Sequence, residues 1–160
     1  MEQQKSKPTP RRGRKSLWLI PVVLVVLSVI FTILAIAKDA PNRQELATLT
    51  IDDINFANLI DGTYTGSFIG TAGSQRDATV EVTVSNGAIT NIRIIKGAID
   101  QTGAPLDLGN GSTIYDLLES AVEKKTLQVD VISGATLTSK AHLKALENAL
   151  TQAQAPQPQN

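Results

Sequence analysis

Residues 79–95 read TVEVTVSNGAITNIRII. Val80, Val82 and Val84 alternate with Thr79, Glu81 and Thr83, the period of a strand with one buried face. Asn86-Gly87 follows. Both residues tolerate positive φ, which a two-residue hairpin turn requires. The isoleucine-rich stretch 89–95 is then the returning strand. Upstream, residues 63–69 place Tyr64, Gly66 and Phe68 on one side of a further strand. Together these segments predict an antiparallel sheet.

Downstream, residues 97–111 hold Gly103, Pro105, Gly109 and Gly111 and read as a loop. Ser112 is placed to cap a helix. Ile114, Leu117, Leu118, Ala121 and Val122 fall on one helical face. Residues 127–132 read as another strand, and Leu143, Leu146 and Leu150 mark the buried stripe of a final helix. The order β-β-β-α-β-α predicts an α+β domain, a mostly antiparallel sheet with two helices packed on it. No internal repeat is visible.

The 160 residues carry no net charge, but the charge is segregated. Before residue 17 there are six basic residues and one acid; from Asp39 onward there are fourteen acids and eight bases. An acidic globular part argues against nucleic acid as a partner. The basic run precedes residues 17–37, twenty-one positions without a charge. A helix of that length covers roughly 30 Å, the thickness of a bilayer core. Trp18 sits near one end and Pro21 in the first turn or so. The sequence therefore predicts a single N-terminal transmembrane helix, with 1–16 cytoplasmic and the rest outside, at the cell membrane. Ala35-Ile36-Ala37 has the spacing of a cleavage site, but the apolar run is longer than a signal-peptide core. Arg11-Arg12 has no surrounding support as an export signal. The absence of cysteine excludes disulfides, a lipoprotein anchor and thiolate metal sites.

The expected organisation is a basic tail at 1–16, an anchor at 17–37, a stalk at 38–60 containing a short packed helix at 51–60, a globular domain at 61–151 and a mobile tail at 152–160. About ninety residues suffice for a modest core.

Within the domain, Asp130-Val131-Ile132-Ser133-Gly134-Ala135-Thr136 ends an extended run and opens a helix. A helix start offers free N–H groups and the positive end of the dipole, a setting that favours phosphate. Gly134 permits a sharp turn and Ala135 keeps the approach open. The same spacing also suits plain capping by Ser133 or Thr136.

These residues resemble the flavin-attachment motif Asp-x-x-Ser/Thr-Gly-Ala-Thr of FMN-binding domains. Asp61-Gly62-Thr63-Tyr64-Thr65-Gly66 is similar to the opening of such domains, 80–92 to their hairpin and 129–139 to their closing half. The similarity spans 61–150. The family includes the C subunit of sodium-pumping NADH:quinone reductase and the G subunit of the Rnf complex; this shorter chain is closer to stand-alone versions. The resemblance implies covalent FMN with Thr136 as phosphoryl acceptor. Ser133, Gly134 and Ala135 match the remaining motif positions, and Asp130 resembles the acid that an ApbE-type FAD:protein FMN transferase requires. Thr138 lies nearby but out of register. The loop 97–111 departs from the family pattern, so the ring contacts are not assigned. The implied role is an electron carrier at the outer membrane face, exchanging electrons with redox proteins or quinone, rather than an independent enzyme. No catalytic constellation and no metal site are read from the sequence. The competing readings are a flavin-free interaction module of the same fold and an accessory subunit of a quinone-linked reductase.

Other residues have plainer readings. Tyr64 and Tyr115 are expected half-buried in the core. His142 falls off the apolar stripe and is expected at the surface. Asp52-Asp53 reads as a solvated pair and Lys124-Lys125 as a complement to a helix end.

Overall fold

The computed structural model describes residues 19–71 and 74–154. The basic tail 1–16, Leu17, Trp18 and residues 155–160 lie outside the described residues. The chain divides into two compact units, Met1–Lys38 and Asp39–Asn160.

Helix α1 (Leu19–Thr48) begins in the first unit and ends in the second. It therefore outruns the expected anchor by several turns. In the first unit Ile20, Leu24, Val25, Phe31 and Ile33 are exposed. Ser28 and Thr32 donate their hydroxyls to the carbonyls of Val25 and Ser28, which satisfies both groups within the helix. Among the described residues no helix is long and apolar enough to cross a membrane. The expected span 17–37 falls only partly on those residues.

The second unit is built on a three-stranded antiparallel sheet in the order β1 (Gly62–Phe68), β2 (Ala78–Ser85), β3 (Ala88–Lys96). Tyr64 pairs with Val82, Gly66 with Val80, and Val82 with Ile92. The valines of β2 are buried and their neighbours half-buried, as the alternation requires. Asn86 and Gly87 both take positive φ, 55° and 73°, and close the hairpin.

Helices α2 (Ile114–Lys124) and α3 (Thr136–Ala153) complete the unit. α3 lies against β1 and β2. Its residues Ala141, Ala145, Ala149 and Ala153 recur every fourth position and are fully buried. Gly66 makes this approach possible: a Cβ there would overlap the backbone of Ala145 and Ala149. On the same helix, Asn148 Nδ2 donates to Ser67 O and Gln152 Nε2 to Thr65 O, both at 2.9 Å. Four helical residues advance about 6 Å and two strand residues about 6.6 Å, so the two spacings match. These side chains occupy carbonyls on the outer edge of β1 that would otherwise stand open.

Four expectations change. Residues 127–132 form no strand; Leu127 N–H is taken by Asp53, Gln128 N–H by Thr126 and Ile132 N–H by Ser139, so side chains replace a ladder. The cap of α2 is Thr113 rather than Ser112, in a capping box with Asp116. Residues 51–60 form no helix. Asp53 and Asn55 accept bonds from the nearby N–H groups of Ile54 and Ala57, competing with helical pairing. Finally, residues 152–154 are part of the fold. Leu59 bridges Gln154, and Ile60 N–H donates to Ala153 O at 2.8 Å.

Gly66→Ala is expected to destabilise the protein by about 1–3 kcal/mol or more, because backbone cannot yield as a flexible side chain can. Denaturant unfolding of the two proteins measures it; equal stability would show that α3 can back away from β1.

Candidate functional site

The site grows from the turn that leads into α3. Ala135 N–H donates to Ile132 O at 3.0 Å, closing a turn through Ser133 and Gly134. Gly134 has φ +79° with open space where a Cβ would lie, so backbone conformation is what calls for glycine there. The buried Ser139 accepts Ile132 N–H on its hydroxyl at 3.2 Å, tying the incoming segment to the first turn of α3.

Ala135 is the N-cap residue, and no side chain caps the helix. Neither Ser133 nor Thr136 serves as the cap that local spacing allowed. Thr136 stands exposed in the first turn. The uncapped end opens on a cleft of about 270 Å³ lined by Gly134, Ala135, Thr136, Leu137 and Thr138 together with Arg43 and Arg76. Both arginines also engage other groups of the protein. A hydroxyl, a helix N-terminus and two guanidinium groups form a donor set suited to a phosphoryl group.

The sequence-derived residues divide here. Gly134, Ala135 and Thr136 line the cleft, as does the out-of-register Thr138. Ser133 and Asp130 are exposed and outside its lining. The loop 97–111 comes close to the turn, since a Cβ on Gly109 would lie 3.7 Å from Ser133 O. Arg43 and Arg76 were not legible as site residues. They precede Thr136 by 93 and 60 positions, and no local motif marks them.

The segment carrying Arg76 is held at both ends. Thr71 donates its N–H and its hydroxyl to Glu45 Oε2, each at 3.0 Å. Asp77 Oδ1 accepts Gly70 N–H, and Asp77 Oδ2 lies 2.8 Å from Lys96 Nζ. The hydrogen bond from Lys96 holds the Asp77 carboxyl below the usual carboxylate range, with burial acting the other way.

A second cleft, about 250 Å³, lies between β3 and α2. Its lining includes Ile92, Tyr115 and Leu118, but also Glu119 and Glu123, which disfavour an anion. Tyr115 and Tyr64 are half-buried as expected; the Tyr115 hydroxyl accepts Ile94 N–H and the Tyr64 hydroxyl donates to Ile60 O. Asp53 is not simply solvated. It accepts Leu127 N–H at 2.9 Å and the Thr126 hydroxyl at 3.0 Å. Lys125 caps α2 in the left-handed conformation and is exposed.

His142 corrects the expectation of a surface position: it is 1% exposed. It lies off the leucine stripe, but α3 is covered on more than one face. Nδ1–H donates to Thr138 O at 2.8 Å, while Nε2 faces Gly97 without a well-formed hydrogen bond. Burial pushes its pKa below the ordinary histidine value, against weaker upward effects from the Thr138 and Gly97 backbone.

The fold and site thus define a small α+β domain with an uncapped helix start flanked by arginines. Residues 73–151 match the family model of the FMN-binding domain. A solved structure, the CPE2226 protein from Clostridium perfringens, is similar at 24% identity and a TM-score of 0.45, over 59% of this chain and 88% of that one. Among curated proteins none matches the sequence.

The neutral form of His142 is the one the fold accepts. The unfolded chain therefore binds the extra proton first, as pH falls through about 6.5. Stability is expected to be full above that value and to decline as pH falls from it toward the lower folded pKa. Melting temperature from pH 8 to pH 5 measures this, and His142→Gln should flatten the slope. An unchanged slope in the variant would assign the pH dependence to other groups.

Proposed function

We propose that this chain is a membrane-anchored flavoprotein carrying FMN on the hydroxyl of Thr136 and relaying electrons at the outer face of the membrane. The observation that carries the reading is the exposed Thr136 hydroxyl at a helix start that no side chain caps, inside the cleft lined by Arg43 and Arg76. The family match supports FMN as the ligand. A phosphate held by backbone N–H groups and arginines matches the donors present.

Attachment balances as a phosphoryl transfer from FAD. The Thr136 oxygen attacks the flavin-side phosphorus, and a P–O bond of the pyrophosphate breaks. AMP leaves with the electron pair, and the hydroxyl proton passes to a base of the modifying enzyme. That enzyme is an ApbE-type FAD:protein FMN transferase, which reads the exposed Asp130 together with Ser133, Gly134 and Ala135. Covalent linkage suits a protein outside the cytoplasm. A helix end alone contributes only about 0.3–1 kcal/mol of attraction, too little to retain a small cofactor in a dilute exterior. Bound flavin supplies one- and two-electron chemistry; the chain supplies its position and surrounding charge. The uncharged run 17–37 behind a basic flank supports anchoring with the N-terminus inside. Redox proteins or quinone at the membrane are the corresponding partners.

Co-expression of the full chain with such a transferase should give a band that fluoresces as flavin on a denaturing gel. Thr136→Ala should abolish the fluorescence and Thr138→Ala should keep it. Fluorescence retained in Thr136→Ala would move the attachment elsewhere.

A further inference from the structure

We infer that Arg43 and Arg76 form a phosphate clamp for the flavin nucleotide, so the last turns of α1 are a working part of the flavin site although they lie outside the family segment. The inference rests on the Thr136 reading and extends it to residues that no motif contains. The family segment begins at residue 73, and Arg43 lies thirty residues before it.

Three observations bring the clamp together. The first is the cleft itself, in which both arginines share a lining with Gly134 to Thr138. The second is the docking of the end of α1. Lys140 Nζ, on α3, donates to Ala47 O at 2.8 Å, and Lys144 Nζ donates to Thr50 O at 3.3 Å. Leu46 is fully buried in the core. Positive charge at the C-terminal end of α1 complements its dipole, so these lysines hold the end of α1 against the first turns of α3. The third is the pair of bonds from Thr71 to Glu45, which joins the Arg76-bearing segment to the Arg43-bearing helix.

The consequence is electrostatic. The phosphoester keeps one negative charge, and two guanidinium groups with a helix N-terminus surround it with donors. Arg43 is exposed and Arg76 half-buried, so both can exchange their present contacts for a phosphate oxygen at little desolvation cost. They act as positioning residues: they draw the flavin-side phosphate of the incoming nucleotide toward the Thr136 hydroxyl.

The test uses the full chain and an ApbE-type transferase, and reads the initial rate at which covalent flavin appears, by in-gel fluorescence and intact mass. Arg43→Gln and Arg76→Gln should each slow attachment roughly tenfold, the worth of one charge-assisted hydrogen bond. Arg43→Lys and Arg76→Lys should recover most of the rate. Arg93→Gln, which removes a charge paired with Glu81 away from the cleft, should match the wild type. A wild-type rate in the double glutamine variant overturns the clamp, as does a loss that lysine fails to restore. Absence of flavin on the wild-type chain, with the transferase proven on another acceptor, overturns the Thr136 reading and this inference with it.

Discussion

Helix α3 and strand β1 meet backbone to backbone at Gly66, where no side chain intervenes. Everything else in the globular unit is arranged around that contact. The buried alanines of α3 keep its near face flat, and the amides of Asn148 and Gln152 reach the strand's outer carbonyls because helix and strand advance at matching rates. A bulkier interface would hold the helix farther out. The two amides would then fall short, and polar edge groups would lose their partners. Dispersion, hydrogen bonding and backbone geometry thus all depend on one missing methyl group.

The same contact fixes where α3 starts. With its body held along β1, the N-terminal turn projects at one end of the sheet, and the bond from Ile132 to Ser139 sets the angle of the incoming chain. Ala135 at the cap leaves the first N–H groups without a side-chain acceptor. A helix would ordinarily gain about 1 kcal/mol from Ser, Thr, Asp or Asn at that position. The chain forgoes this stabilisation at α3 while keeping a full capping box at α2. The contrast within one domain supports the ligand site proposed at the α3 end.

The hairpin, the valine alternation of β2 and the apolar stripes of both helices were readable because each expresses a local period. So was the sharp turn at Gly134 that leads into α3. The strand expected at 127–132 failed for a non-local reason: Asp53 and Ser139 supply bonding partners from elsewhere, and no neighbouring strand is needed. His142 misled because a helix covered on several faces has no single buried stripe. The alanines of α3 are invisible to a search for large apolar residues, yet they set the packing distance. Arg43 and Arg76 were illegible for the deepest reason. Their meeting with Thr136 is a property of the tertiary fold, and nothing within a helical turn of either residue announces it.

Leu59 and Gln154 sit side by side in a single antiparallel bridge. The segment that feeds β1 and the tail that leaves α3 are thereby tied together, so neither can peel from the body without releasing the other.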